Sequence, residues 1–392
     1  MNTQQSGIIA LIHSALTGQK HILPNEFDFE AAYKCAKTHR IVPLLYYGIV
    51  NCDISIDEQI NNKFFSDTCQ AIMVNQKQTF SLLRISNEFE ISGIDFMPLK
   101  GSIIKDLYPK VEMRTMGDVD VLFKVEQYEK IVPILENFGM KFVKENANEL
   151  AWDDHPFYLE LHRFLVSPQH EDYFNYFGDG WHFACLAEGS KHRYVMRDED
   201  YYIYLFAHLT KHYRFSGIGI KHFVDVWVYL NAKPNLDMEY IEEEFKKLNM
   251  YEFYKNVVRT VRCWFDGEEC DEVVDIITDK AFGSGAFGTK ASTKAAEAAK
   301  TLENSKVKNI KFNIFLRSAF PSYKNMCILF PILKKAPVFL PFLWTWRLIY
   351  AVLFKRKNVK IQYENIGQLS NGDGTEYQKQ LEAVGLDYDF GK

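Results

Sequence analysis

Apolar residues recur at every third or fourth position through most of the first ninety residues of the chain. This spacing is typical of helices that bury one face. It predicts helices from Ile8 to Leu16, from Asp28 to Thr38 and from Pro43 to Asn51, and a longer helix from Ile56 to about Ile91. Residues 1–92 are therefore predicted to be an N-terminal helical segment.

The pattern changes near Asp95, where short apolar runs separated by turn-forming residues replace the helical spacing. Val119–Phe123 and Phe157–Leu161 are predicted strands. Between them, the spacing predicts a helix from Val125 to Asn137, ending before Gly139, a residue suited to the left-handed conformation after a helix. Residues 93–190 are predicted to form an α/β core.

Helical spacing returns at Asp198. It predicts helices over residues 198–213 and 221–230, from Met238 to Asn249 and from Tyr251 to Phe265. Residues 191–360 are predicted to form an all-α domain, and the polar segment 361–392 is expected to be loosely held. The whole pattern predicts an α+β protein whose small core is flanked by helices on both sides.

Composition narrows the class of protein. The 392 residues are 47% hydrophobic, enough for the cores of two or three globular domains. The formal net charge is −5, so binding to duplex DNA is not expected. The seven cysteines are scattered, and their spacing implies neither a disulfide framework nor a zinc site. No basic stretch followed by an apolar run opens the chain, and a cytoplasmic, reducing location is expected.

Residues 336–354 are apolar except for Arg347. The length suits a membrane span, but two prolines and a central arginine, which costs at least ~2.5 kcal/mol inside a bilayer, weaken that interpretation. A buried core helix is favoured. Peripheral membrane contact through 336–357 stays open as an alternative, with Trp344, Trp346 and the basic residues 355–357 at the headgroups.

Candidate chemistry begins with Asp118 and Asp120, which alternate with valines and therefore share one face of a strand. Paired carboxylates repel each other, and a divalent cation with oxygen ligands, Mg²⁺ or Mn²⁺, is the usual remedy. The alternative is a pair of aspartates that cap a turn at the strand end. Glu160 lies in a second alternating strand, on the same face as His162, and provides a third carboxylate. Three carboxylates suffice for a two-metal site, in which Glu160 would be a ligand or a base.

A short apolar run upstream ends in Lys100, Gly101 and Ser102, where a helix is predicted to begin. Glycine lets the backbone approach an anion, and a serine at a helix N-terminus donates hydrogen bonds, so this is a candidate phosphate site. Lys100 and Arg114 would add positive charge. Taken singly, both are equally consistent with solvated surface residues.

Two histidines, His208 and His212, fall one turn apart on a predicted helix that also carries Lys211. The spacing admits a metal, but the H-E-x-x-H sequence of zinc proteases is absent. These three residues are expected to line a cleft and contact nucleotide or acceptor, with satisfied structural histidines as the alternative. Asp225 lies among apolar residues and is expected to be buried, either paired with Lys211 or Lys221 or in a polar contact between packed helices.

Taken together, these motifs resemble the polymerase-β-like nucleotidyltransferase superfamily, and in particular its bacterial branch of uncharacterised nucleotidyltransferases. The residues that carry the resemblance are Leu99, Gly101-Ser102, Asp118, Asp120 and Glu160, although Lys100 interrupts the simplest hydrophobic-Gly-Ser sequence. The resemblance implies a small mixed-sheet core, Mg²⁺ or Mn²⁺ on Asp118, Asp120 and Glu160, and an NTP such as ATP bound through Lys100, Gly101, Ser102 and Arg114. It also extends to the helical residues His208, Lys211, His212, Lys221 and Asp225, where the family norm of an arginine is replaced by Lys221-His222.

The expected function is transfer of NMP from an NTP to an acceptor with release of pyrophosphate. The acceptor is a sugar, a metabolite, a protein or an RNA, which the residues do not distinguish. Two alternatives remain: a glycosyltransferase that uses the D-x-D pair for a nucleotide-sugar, and a non-catalytic nucleotide-binding or membrane-associated module.

Overall fold

In the computed structural model, the described residues are 1–168, 170–286, 288, 293, 296, 316, 319–354 and 371–386. They confirm the predicted α+β class: a five-stranded mixed sheet is preceded and followed by helices.

The N-terminal segment is helical, as predicted, in α1 (Thr3–Thr17), α2 (Phe29–His39), α3 (Val42–Asn51) and α4 (Glu58–Ile91). Side chains of Asn2, Asp28 and Asp57 accept hydrogen bonds from the first free backbone amides of α1, α2 and α4, which explains where these helices begin. Helices α1 and α3 pack closely, because Gly48 has no Cβ. An added Cβ there would lie 2.1 Å from the carbonyl oxygen of Leu11.

The central sheet has the strand order β1-β2-β5-β4-β3, with β2 and β5 parallel and the other neighbours antiparallel. Its strands are β1 (Phe96–Pro98), β2 (Val119–Phe123), β3 (Lys141–Glu145), β4 (Glu149–Asp154) and β5 (Phe157–His162). The short α5 (Gly101–Ile104) follows β1, and α6 (Tyr128–Asn137) follows β2. Gly139 adopts φ 78°, as its predicted place after this helix requires.

One face of the sheet is apolar and covered by helices. The alternation of side chains along β2 and β5 directs Val119, Val121, Leu159 and Leu161 to this face, where they pack with residues of α4 and α6. Each such buried side chain stabilises the fold by roughly 1.5–3 kcal/mol. The same alternation directs Asp120 and Glu160 to the opposite face.

The second large core is helical. It is built from α8 (Asp198–Phe215), α9 (Ile220–Ala232), α10 (Met238–Lys247), α11 (Tyr251–Phe265) and α12 (Glu272–Ser284), together with α1–α3. The chain reaches it from the sheet through α7 (Glu171–Phe177) and a hairpin of β6 (Ala184–Leu186) and β7 (Tyr194–Met196). Buried tyrosine and phenylalanine rings of α8, among them Tyr202 and Phe206, pack against α9, α10 and α11.

The glycines at 283, 285 and 288 have the spacing of a dinucleotide-binding motif, but a helix, α12, precedes and includes the first of them. A dinucleotide motif follows a strand, so this one does not qualify.

The cysteine spacing implies no disulfide framework, and this expectation is wrong for one pair: Cys263 and Cys270 form a disulfide bond. Helix α11 ends at Phe265, and Gly267, with φ 76°, turns the chain back so that the two Cα atoms lie 5.5 Å apart. The sequence separation of 7 residues gave no sign of this reversal.

Beyond α12, the described chain contains α13 (Tyr323–Leu329), α14 (Leu340–Phe354) and α15 (Asn371–Ala383). The segment expected to be loosely held thus includes α15, whose Tyr377 hydroxyl donates to the carbonyl of Arg214 at 2.9 Å and whose Leu381 is buried. Among the described residues, no helix is long and apolar enough to cross a bilayer. Residues 336–354 were predicted to form a buried core helix, but the helix there, α14, is only half buried: it packs one face and exposes the other. The basic residues 355–357 lie outside the described part of the chain.

Candidate active site

A cavity of about 510 Å³ lies between the polar face of the sheet and helices α8 and α9. Its size is within the usual range for small-molecule sites. We call its sheet side the acid wall, formed by Asp118, Asp120, Glu149 and Glu160. We call the opposite side the helical wall, formed by His208, Lys211, His212, Lys221 and His222.

The centre of the acid wall is a cluster of Asp120, Glu160 and His162. Asp120 and Glu160 are direct partners in the register of the parallel strands β2 and β5, and His162 is two residues further along the same face. The Nε2 atom of His162 lies 2.7 Å from Oδ1 of Asp120 and 3.7 Å from Oε2 of Glu160. One ligand atom from each residue lies within 4.8 Å of the other two, which suits a metal ion.

His162 is the site residue that sequence reasoning missed. The alternation placed it on the face of Glu160, but no role was assigned to it. The signal was available in the Glu-x-His spacing within one strand, since residues two apart share a face. In the structure, Asn148 lies 3.2 Å from Nδ1 of His162 and fixes the ring so that Nε2 faces the carboxylates.

Asp118 lies one residue before β2, is half-buried and lines the cavity. It stands next to the close cluster of Asp120, Glu160 and His162 and is not part of it. Asp118 therefore lines the same cavity as Asp120 and Glu160, and its predicted role as a metal ligand stays a prediction. Burial and the neighbouring Asp120 carboxylate both raise the pKa of Asp118.

The two carboxylates of the cluster have pKa values shifted in opposite directions. Burial, together with the carboxylates of Asp118, Glu149 and Asp120, raises the pKa of Glu160 to about 7. Burial alone would also raise the pKa of Asp120, but the Lys100 ammonium and the His162 imidazole outweigh it and hold that pKa well below the usual range. Repulsion between neighbouring carboxylates is what a bound cation relieves.

Lys100 was expected to add positive charge to a phosphate site. In the structure it contacts a carboxylate of the acid wall. Its Nζ lies 2.8 Å from Oδ1 of Asp120. Its backbone has φ 47°, an uncommon conformation for a residue with a side chain, and the Tyr201 hydroxyl donates to its carbonyl at 2.6 Å. The tertiary structure thus holds this turn in place and directs the ammonium into the cavity.

The predicted phosphate site at Gly101 and Ser102 has a different geometry from the one expected. Helix α5 is only four residues long, and the Ser102 hydroxyl donates to the carbonyl of Leu99 at 2.7 Å, so it is already engaged. Ser102 does not line the cavity within the described chain, whereas Gly101 does. A Cβ on Gly101 would lie 2.7 Å from Sδ of Met116, so a larger residue would displace that side chain.

Arg114 is buried and paired with an acid of the helical domain. Its Nε and Nη2 atoms donate to the two carboxylate oxygens of Asp225, at 2.7 and 2.8 Å. The Tyr108 hydroxyl donates to the same carboxylate at 2.7 Å. The expected pairings of Asp225 with Lys211 or Lys221 are therefore wrong. The loop before β2 places Arg114 against both carboxylate oxygens of Asp225. Arg114 still lines the cavity, but its guanidinium is largely engaged.

The helical wall is made of cations and neutral imidazoles. Burial lowers the pKa of Lys211 to about 8 and that of Lys221 to about 7, and the nearby Lys100 and Arg114 charges add to these respective shifts. Burial also lowers the pKa of His212 to about 3, and His212 Nε2 lies 3.1 Å from His208 Nε2. The histidines are therefore uncharged at neutral pH, and a bound anion would stabilise the ammonium forms of the lysines.

The sequence pattern that defines a family described as uncharacterised nucleotidyltransferases matches residues 25–266. The chain belongs to this family. Comparisons with curated proteins and with solved structures each found no match.

In this nucleotidyltransferase, the matched region runs from shortly before α2 to the end of α11. It includes the central sheet and both walls of the cavity; of the described residues that line the cavity, Ala286 alone lies beyond it. Membership supports nucleotidyl transfer as the general activity, with a nucleoside triphosphate as substrate. Helices α12–α15 lie beyond the match.

The donor set of this nucleotidyltransferase fits a divalent cation. Two carboxylates and one imidazole converge. Lys100 pairs with Asp120 at 2.8 Å, and the exposed Lys144 lies 3.5 Å from Glu160, yet burial and the neighbouring carboxylates still raise the pKa of Glu160. Carboxylate oxygens suit Mg²⁺ and Mn²⁺, and the imidazole is better tolerated by Mn²⁺.

Proposed function

We propose that this protein transfers NMP from an NTP to an acceptor, with release of pyrophosphate, in the cavity between the acid wall and the helical wall. The observation that carries the proposal is the opposition of the two walls: the carboxylates of Asp120, which is buried, and Glu160, which is partly buried, line the same cavity as the amino groups of Lys211, which is partly buried, and Lys221, which is buried. A metal–triphosphate complex has the matching arrangement of charge, cationic on one side and anionic on the other.

Each wall supports one half of the chemistry. When bound by Asp120, Glu160 and His162, a divalent cation would polarise the α-phosphate and neutralise charge on the transferring group. Lys211 and Lys221 would bind oxygens of the triphosphate and stabilise the leaving pyrophosphate. Among the described residues, Lys211 has no direct ion pair, so its ammonium is available to a ligand.

The transfer itself forms a bond between an acceptor oxygen and the α-phosphorus and breaks the bond from that phosphorus to the β-phosphate oxygen. The acceptor hydroxyl loses its proton to a carboxylate of the acid wall. Asp118 is well placed to take it, because it lines the cavity beside the cluster and its pKa is raised by burial. The protein's main contribution is to position the two reactants and match their charge.

Calorimetric titration with ATP, GTP, CTP and UTP, in the presence of Mg²⁺ or Mn²⁺, tests this proposal. The wild-type protein should bind at least one NTP only when metal is present, and the Asp118→Ala/Asp120→Ala variant should not. A matched control is Glu129→Ala/Glu136→Ala, which removes two exposed carboxylates from α6 and should bind like the wild type. Incubation with the NTP labelled on its α-phosphate then reveals the acceptor class, because only NMP transfer moves that label.

A nucleotide-sugar such as UDP-glucose is the informative competitor. If it bound tightly while no NTP did, the D-x-D glycosyltransferase alternative would replace this proposal. If the folded wild type bound neither class of ligand, the non-catalytic alternative would stand.

A further inference from the structure

Helix α14 carries a continuous row of exposed apolar side chains. Phe342, Trp346, Ile349, Tyr350 and Leu353 are 66, 54, 48, 44 and 54% exposed. Their spacing places all five on one face of the helix. We call this face the apolar stripe. Exposed apolar residues scattered singly need no explanation, but a contiguous face of this kind marks an interaction site.

The opposite face of α14 holds the helix in place. Leu343 and Trp344 pack against a small core of Met326, Cys327 and Leu333 from the preceding helical turns. The indole Nε1 of Trp344 also donates to the carbonyl of Pro321 at 2.9 Å. The helix therefore has a defined buried side, and the apolar stripe is the side that the described residues leave exposed. Val338 and Phe339, which are 80 and 48% exposed, continue the apolar surface just before the helix.

The sequence around the stripe has an extreme charge distribution. Residues 304–363 contain twelve of the chain's 46 lysines and arginines and none of its 51 aspartates and glutamates. All the acidic residues lie elsewhere, so the rest of the chain is strongly negative. An anionic surface would attract this segment and repel the remainder, which makes the segment the natural point of contact.

Three observations favour a lipid surface as the occupant. An apolar helix face flanked in sequence by basic residues, here Lys334, Lys335 and residues 355–357, is typical of segments that lie in a membrane interface. Trp346 and Tyr350 are the residue types enriched at the level of the headgroups. The fifteen-residue helix, at about 1.5 Å per residue, is too short to cross a bilayer. Pairing with a second copy is disfavoured, because it would bring two basic segments together.

We propose that α14 and the residues 338–339 before it dock on an anionic phospholipid bilayer, with the apolar stripe in the headgroup region. This inference goes beyond nucleotidyl transfer and rests on residues outside the region shared with the family. It predicts a peripheral protein whose membrane attachment is separate from its active site.

Flotation of the full-length protein with vesicles tests the proposal. It should float with vesicles of equal parts phosphatidylcholine and phosphatidylglycerol, and bind vesicles of phosphatidylcholine alone at least tenfold more weakly. High salt should release it, since screening weakens the attraction of the basic residues. The variant Phe342→Ser/Trp346→Ser/Leu353→Ser should lose roughly tenfold or more of its affinity for the mixed vesicles, because it removes the apolar anchors.

The matched control is Met73→Ser/Phe80→Ser/Leu83→Ser, which removes three side chains of similar exposure, 63, 58 and 57%, from α4. It should float like the wild type. Circular dichroism verifies the fold of both variants, and NTP titration should be unchanged in both, so failure of the membrane inference is distinguishable from failure of the proposed function. If the variant Phe342→Ser/Trp346→Ser/Leu353→Ser misfolds, Lys334→Gln/Lys335→Gln provides a second test, because it lowers the positive charge beside α14 and leaves the apolar stripe intact.

Equal flotation with neutral and anionic vesicles would overturn the proposal, as would undiminished binding by a folded stripe variant. Sedimentation provides a third outcome. A dimer that dissociates on mutation of the stripe would assign the surface to a second copy of the chain and not to lipid.

Discussion

Arg114 and Asp225, which are 111 residues apart in sequence, form a buried two-pronged ion pair with N–O distances of 2.7 and 2.8 Å. Arg114 lies in the loop that leads into β2, and Asp225 lies in the middle of α9. The pair therefore joins the strand that carries Asp120 to the helix that carries Lys221. Because the two walls of the cavity must face each other for the proposed chemistry, this ion pair is a positioning contact.

Removing one partner of this pair should destabilise the protein. Asp225→Ala leaves the Arg114 guanidinium buried without its anion, which costs about 3–5 kcal/mol in free energy of unfolding. Denaturant unfolding measures the change. The exposed pair of Lys233 and Asp198 is the control, and Lys233→Ala should cost less than about 1 kcal/mol. A loss for Asp225→Ala no larger than that of the control would show that the buried pair does not join the two walls.

His162 should be required for tight metal binding. His162→Ala removes the only nitrogen ligand of the described cluster, and we expect Mn²⁺ affinity to fall roughly 10–100-fold, the usual range for supporting residues at metal sites. Electron paramagnetic resonance of free Mn²⁺ measures the affinity directly. His192→Ala, which removes an imidazole paired with Asp95 outside the cavity, is the control. Unchanged affinity in His162→Ala would place the metal elsewhere.

Lys211 should distinguish triphosphates from monophosphates. Its ammonium would form charge-assisted hydrogen bonds with the triphosphate, each worth about 1.5–3 kcal/mol. Lys211→Ala should weaken NTP binding roughly tenfold or more and leave NMP binding nearly unchanged. Calorimetric titration with both nucleotides makes the comparison. Equal losses for the NTP and the NMP would indicate that Lys211 acts on the nucleoside or on the fold.

NTP binding should take up protons above pH 7. The pKa of Lys211 is lowered to about 8 and that of Lys221 to about 7, so both amines lose protons in the free protein as pH rises through this range. A bound triphosphate favours the ammonium form and raises both pKa values, so binding is accompanied by protonation, and affinity falls as pH rises beyond 8. Titrations in two buffers of different ionisation enthalpy measure the uptake. Identical heats in both buffers would contradict this prediction.

Two central strands of the sheet, β2 and β5, and the carboxylates of Asp120 and Glu160 follow from local sequence. Alternation in β2 and β5 is a property of residues two apart, and it correctly placed Asp120 and Glu160 on one face of each strand. Helices α1–α4, α6 and α8–α11 were equally readable, because each buries an apolar face at regular spacing, whereas the short α7 was not predicted.

The pairing of individual charged side chains could not be predicted from the sequence. Asp225 could meet any cation that the fold brings near it, and only the tertiary structure selects Arg114 over Lys211 and Lys221. The disulfide between Cys263 and Cys270 depends in the same way on a turn at Gly267. The hydrogen bond from Ser102 to Leu99 likewise depends on the turn between the end of β1 and the start of α5.

The most direct test of the central claim is a crystal structure with Mn²⁺ and an NTP analogue whose α,β-bridging oxygen is replaced by a methylene group. The account predicts an anomalous Mn²⁺ signal among Asp120, Glu160 and His162, with the triphosphate extending toward Lys211 and Lys221. Mn²⁺ and nucleotide bound together outside this cavity, or a nucleotide with its phosphates directed away from the helical wall, would contradict it.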